Sequence, residues 1–133
     1  MREHDSKSAS EFAMPETMVL QSLDMSGFEG TQWEAAYDAL TLAINGMQGI
    51  ENQPRCSGSR GLLNAAGDYL DCLSEFLHLE RTRLMENLRL YRPTMDVDKA
   101  RRACLLMKYE AECGELSMSD MAAYALSLTS EAH

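Results

Sequence analysis

The sequence predicts an all-α protein: an antiparallel helical bundle of four main helices built on one long central helix at about residues 59–91, with a short N-terminal helix before it. Three observations predict this. Leu63, Leu70, Leu77, Leu84 and Tyr91 stand seven apart, the spacing of one helix face sustained over many turns. Shorter stretches on either side carry apolar residues at intervals of three and four, one face of an amphipathic helix. No segment shows the period-two alternation of a half-buried strand. With 133 residues, 45 % of them hydrophobic, the chain has enough material for one domain with its own core. Residues 1–10 are expected to form a disordered polar tail and residues 11–131 a single helical domain.

The first helix is expected over residues 15–25. Pro15 suits the first helical position, where its missing N–H would have no partner anyway, and Gly27 follows as a stop. Thr31 and Glu34 have capping-box spacing. Behind them Trp33, Ala36, Tyr37, Leu40, Ile44 and Met47 form the face of a second helix, about residues 32–48. Pro54 and Gly58 mark a loop.

In the long helix the stripe changes character midway. Ala66 and Leu73 fill the alternate seam positions of its first half, and Leu62, Tyr69 and Phe76 widen it, so this half is expected to lie in the core. In the second half the seam positions become Glu80 and Asn87, and Arg83 flanks them. The apolar face narrows there to Leu84, Met85, Leu88 and Tyr91, and Leu84, Leu88 and Tyr91 are expected to be partly uncovered. Glu80 is expected to stay wet where the bundle splays, with Arg101 or Arg102 as the alternative partner. Arg92-Pro93 ends the helix, because the residue before proline is pushed out of the α region. Thr94 or Asp96 is expected to cap the next helix, whose stripe is Val97, Ala100, Cys104, Met107 and Ala111, stopped by Gly114. Ser117 to Asp120 starts the last helix, with Met121, Ala122, Ala125 and Leu128 on its face.

Charge is unevenly placed. The net charge is −9, which disfavours non-specific binding to nucleic acid or anionic membrane. Yet Arg81, Arg83, Arg89, Arg92, Lys99, Arg101, Arg102 and Lys108 face only Glu86, Asp96 and Asp98 in their window, leaving +5 there and −14 elsewhere. The spacing predicts local pairs, Glu80 with Arg83 and Glu86 with Arg89. The window also reads as a basic patch that meets an acidic partner. Nucleic acid is disfavoured as that partner, since exposed aromatics do not interleave the cations and the acidic remainder repels phosphate.

Chemistry-bearing patterns are few. Glu75 and His78, three apart on a helix, give half of a di-metal carboxylate motif, and no second half occurs because the other histidines are His4 and His133. The segment from Gly58 to Gly61 precedes a helix and has room for an anion, but lacks the lysine and spacing of a phosphate-binding loop. Cys56, Cys72, Cys104 and Cys113 make no Cys-x-x-Cys pair, and three of them fall in helical patterns as small hydrophobes with reduced thiols. There is no nucleophile elbow. The first ten residues have no apolar core behind them, so no secretory signal is expected, and no stretch approaches the ~18 apolar residues of a membrane span. A cytoplasmic location is the expectation.

The reading that follows is a non-enzymatic, acidic, cytoplasmic interaction protein without cofactor, acting as adaptor, regulator or inhibitor. Its expected contact residues are Arg81, Arg83, Leu84, Leu88, Arg89, Tyr91, Arg92, Arg101 and Arg102. Its partner is another protein, with a homodimer also expected because a second copy would cover the bared stripe. Ten methionines, among them Met47, Met85, Met107, Met118 and Met121, suit adaptable contact surfaces. The alternative is a metal- or small-ligand-binding bundle centred on Glu75 and His78.

Overall fold

The computed structural model describes residues 23–132. Among them are four α-helices: α1 over Gln32–Glu51, α2 over Ala65–Leu90, α3 over Asp96–Cys113 and α4 over Met118–Ala132. Two 3-10 turns, Pro54–Cys56 and Ser59–Gly61, lie between α1 and α2. The described residues contain no strand, only an isolated bridge between Ser57 and Leu63. The fold class is therefore all-α. The helix expected at residues 15–25 and the tail at 1–10 fall outside the described residues, except that residues 23–25 are described and are not helical.

The long helix is shorter than its heptads imply: 26 residues, roughly 39 Å at 1.5 Å per residue. Residues 59–64 do not join it, and the cause is local. Arg60 and Gly61 both have positive φ, which breaks a right-handed helix. Asn64 then caps the helix by accepting the Gly67 N–H on Oδ1 at 2.9 Å, while its own side-chain amide donates to the Arg55 carbonyl at 2.8 Å. The Asn64 N–H reaches back to the Cys56 carbonyl at 2.9 Å. These bonds draw the first turn of α2 so close to the preceding loop that a Cβ on Gly67 would lie 2.7 Å from the Cys56 oxygen. Only glycine fits there.

The other boundaries follow simpler rules. The Thr31 carbonyl accepts the Ala35 N–H at 3.1 Å and opens α1, which runs three residues past its expected end at Gln48. Helix α3 is entered through Met95, with no side-chain cap, so neither Thr94 nor Asp96 plays that part. Asp96 and Asp98 instead place negative charge on its first turn, where the helix dipole favours it. Gly114 ends α3 as expected. A Cβ there would come within 2.8 Å of the Glu110 carbonyl, which accepts the Gly114 N–H. Ser117 caps α4, its hydroxyl accepting the Asp120 N–H at 3.2 Å.

The chain packs as two compact units, and α1 and α2 each pass through both. The first comprises Leu40–Arg81 and the described residues up to Gly27, the second Phe28–Ala39 and the described residues from Thr82 onward. In the first unit Met25, Ile44, Cys56, Ser74, Glu80 and Arg81 are buried. In the second the buried set is larger: Trp33, Tyr37, Leu84, Met85, Leu88, Arg102, Leu105, Leu106 and Leu128. This reverses the expectation for α2. Leu62 and Tyr69, from the broad stripe, are about two-thirds exposed (66 % and 67 %), whereas Leu84, Met85 and Leu88 have no exposure.

Candidate functional site

In the second unit the basic residues are largely spent on holding the chain together. Leu88 and Arg89 lie at the end of α2, where carbonyls lack intrahelical donors. The buried guanidinium of Arg102 supplies them, donating from Nε to the Leu88 carbonyl at 3.0 Å and from Nη2 to the Arg89 carbonyl at 2.7 Å. A cation suits this negative end of the helix dipole. Arg101 pairs with Asp98 at 3.2 Å and Lys99 with Asp96 at 4.0 Å, both within α3. Arg89 pairs with Glu110 at 3.5 Å rather than with Glu86, one helical turn away. Lys108 pairs with Asp38 at 3.4 Å and sits 5.5 Å from the Tyr37 ring centroid.

The aromatic residues explain why these helices meet as they do. Trp33 stacks with Phe28 edge-on at 5.1 Å and with Tyr91 at 5.3 Å. Tyr37, wholly buried, meets Tyr109 edge-on at 6.3 Å and donates its hydroxyl to Glu112 Oε1 at 2.5 Å. The indole N–H of Trp33 is buried without a hydrogen-bond partner. An open, mostly apolar groove of about 410 Å³ runs between α3 and α4, lined by Asp96, Lys99, Ala100, Ala103, Cys104, Leu128 and Thr129.

In the first unit a polar row joins α1 to α2. Arg81 donates to Thr41 Oγ1 at 3.0 Å, and its other terminal nitrogen faces His78 Nδ1 at 3.4 Å. The other ring nitrogen, Nε2, faces the Gln48 side-chain nitrogen at 3.4 Å, so N–H donors stand at both ring nitrogens, and a neutral imidazole accepts from only one of them. Further along, Glu51 Oε1 is buried without a hydrogen-bond partner. Loss of water around it and then the neighbouring Asp71 carboxylate raise the Glu51 pKa above its ordinary value.

Several sequence-derived expectations change on this geometry. Leu84 and Leu88 are core residues, not a bared stripe, because Leu105, Leu106 and Tyr37 share that buried set. Arg81 and Arg102 are buried as well, and Tyr91 is half-buried against Trp33. Glu80 is buried, not wet. The three helical cysteines, Cys72, Cys104 and Cys113, are exposed, and the buried thiol is Cys56 in the loop; all four are free. Glu75 is exposed, and both ring nitrogens of His78 already face other groups. A metal on His78 Nδ1 would have to displace the Arg81 guanidinium. Among the described residues no three or more His, Cys, Asp or Glu side chains come together as a metal set.

Sequence reasoning missed the feature that remains exposed. At the corner between α2 and α3, Leu90 is 76 % exposed, Met95 63 % and Val97 48 %. Arg92 stands between the first two, exposed, with its guanidinium on the Arg89 and Tyr91 carbonyls. Its apolar neighbours in sequence, an off-register leucine at 90 and a methionine two residues after Pro93, carry no periodic signal. No family model matches the chain, and no curated protein and no solved structure does either.

Proposed function

We propose that the chain is a non-enzymatic interaction protein, an adaptor, regulator or inhibitor that works through protein–protein contacts. The observation that carries this reading is the α2–α3 corner, where large apolar side chains and a cation stand together in water. Single exposed apolar residues are ordinary on any surface, but neighbours in a turn beside an arginine form the composition of a contact site. Of the contact residues expected from sequence, Arg92 keeps an exposed guanidinium group for such use, and Leu90, Met95 and Val97 take the place of Leu84 and Leu88. The methionine content supports the same reading, since Met95 and Met118 are both well exposed. A metal- or ligand-binding role centred on Glu75 and His78 is the weaker reading, because Arg81 faces one ring nitrogen of His78 and Gln48 the other.

Among the described residues no helix is long and apolar enough to cross a membrane, which agrees with contacts made to proteins rather than within a bilayer. The homodimer belongs to this proposal on reduced grounds, because the stripe it was expected to cover is buried. The test is affinity capture with the full chain, followed by reconstitution with the purified candidate partner and light scattering across concentration. A stoichiometric complex is expected. Failure to reconstitute any complex, with a monomer at every concentration, overturns the reading.

A further inference from the structure

We infer that the cavity lined by Trp33 binds one internal water molecule, which accepts the indole N–H and donates to the carboxylates of Glu34 and Asp98. All the residues around this cavity belong to the second unit, and none of them is an apolar residue of the contact site proposed above. Trp33 is 5 % exposed, and its Nε1 is buried with no hydrogen-bond partner among the described residues. An indole nitrogen only donates, so no proton shift on the ring can satisfy it. A donor taken out of water and left unpaired forfeits its solvation, and buried polar groups in native proteins are therefore bonded to protein or to ordered water. The rings packed on Trp33, Phe28 and Tyr91, offer its N–H no oxygen or nitrogen in their contact faces.

Size and charge identify the occupant. The cavity has a volume of about 10 Å³, the room for a single water and for nothing larger. Glu34 and Asp98 line it together with Arg101 and Arg102, two carboxylates against two guanidinium groups. Arg101 pairs with Asp98 at 3.2 Å, and Arg102 donates to the Leu88 and Arg89 carbonyls. An anion there would meet both carboxylates. A cation would meet both guanidinium groups and the indole N–H. A neutral molecule that accepts from the indole and donates to a carboxylate meets neither penalty, and water does both. A carboxylate has about four lone-pair sites, so Asp98 keeps accepting capacity beside Arg101. Bound in this way, the water joins Trp33 near the start of α1 to Asp98 near the start of α3.

Trp33 is the chain's single tryptophan, so its indole N–H gives one unmistakable resonance in the full-length, nitrogen-15-labelled protein. A water-selective nuclear Overhauser measurement is expected to show contact between that proton and water, with the sign of a long-held molecule rather than of passing solvent. Replacing Trp33 by its benzothiophene analogue puts sulfur in place of the N–H and keeps the shape. This analogue is expected to lower the melting temperature, because the water loses its donor. A donor left dry would give the opposite sign, since removing it relieves an unpaired group. An N–H seated on the ring face of Phe28 or Tyr91 would show an upfield-shifted resonance with no water contact. No water contact, a contact with the sign of passing solvent, an upfield-shifted resonance, or a melting temperature raised in the analogue would each overturn the assignment. The Overhauser measurement is made on the native chain, so it decides the matter even if the analogue does not fold.

Discussion

Helix α2 is divided between the two compact units, and its two parts are unlike. In the first unit its apolar residues are numerous and largely wet: Tyr69 and Leu79 are exposed, and Leu70, Leu73, Phe76 and Leu77 are only half-buried. In the second unit they are few and, apart from Leu90 at the helix end, dry, Leu84, Met85 and Leu88 having no exposure. What differs is the cover available. The second unit contributes Trp33, Tyr37, Leu105, Leu106 and Leu128 to the same buried set, large side chains on three other helices. The hydrophobic effect counts area removed from water, so three fully buried residues outweigh a longer stripe left half in solvent.

The sharpest way to break this comparison is to truncate a residue on each side. Leu88→Ala is expected to cost about 2–5 kcal/mol in urea unfolding, the range for emptying a packed leucine site. Tyr69→Ala, at an exposed position, is expected to stay within about 0.5 kcal/mol. Equal costs for the two would show that the stability of the chain does not follow the burial described for its two units.

Arg102 tests the second unit in another way. Arg102→Ala removes the buried guanidinium from the Leu88 and Arg89 carbonyls, leaving them only the Tyr91 N–H and the Arg92 guanidinium respectively, with an expected loss of about 1–3 kcal/mol. The comparison variant is Arg92→Ala, at an exposed guanidinium on similar carbonyls, which is expected to lose under about 1 kcal/mol because water replaces the donor. Both are read by chemical denaturation at neutral pH.

How much of this was legible beforehand depends on which physical property each residue reports. Periodicity reports which residues share a face, and the helix positions follow it closely: α1, α3 and α4 lie where their stripes put them. Stops set by chain geometry were legible too, at Pro93 and Gly114, because those residues act on their own neighbours. Cover is not a property of a helix face, so the heptads of residues 63–77 gave no sign that they would be wetter than Leu84 and Leu88. The same limit explains Arg102. Its sequence reads as one member of a basic run, and only the approach of α3 to the end of α2 turns it into a buried cap. The start of α2 failed for a different reason, since Leu62 and Leu63 continue the seven-residue register while Asn64 hydrogen-bonds the backbone out of helix.

Two glycines sharpen the contrast within the first unit. Gly67→Ala places a methyl 2.7 Å from the Cys56 carbonyl and 2.9 Å from the Leu63 Cβ, so the cap must open, at an expected cost of about 1–3 kcal/mol. Gly46, inside α1, has nothing within 4 Å of its missing Cβ. Gly46→Ala is expected to stabilise the protein by about 0.5–1 kcal/mol through helix propensity alone. Thermal unfolding of both variants separates a unit that is loose throughout from one that is loose on α1 and tight at the loop.

The smallest expected effect concerns pH and the other tight spot of that unit. Glu51 has a raised pKa because burial of Oε1, and then Asp71, disfavour its charge. The folded state therefore holds the Glu51 proton more firmly than the unfolded chain does. On lowering the pH through the raised value, the folded protein takes up this proton first and gains stability, until below the ordinary glutamate range both states hold it and the gain is complete. Where the carboxylate carries its charge, the unfavourable contact with Asp71 is expressed. Glu51→Gln removes that charge while keeping the shape. It is expected to raise the melting temperature slightly at pH 7 and to lose that advantage as the pH falls below the ordinary glutamate range. An advantage that persists undiminished in acid would mean that the gain comes from packing rather than from charge, and a lower melting temperature at pH 7 would mean that the carboxylate stabilises the end of α1 after all.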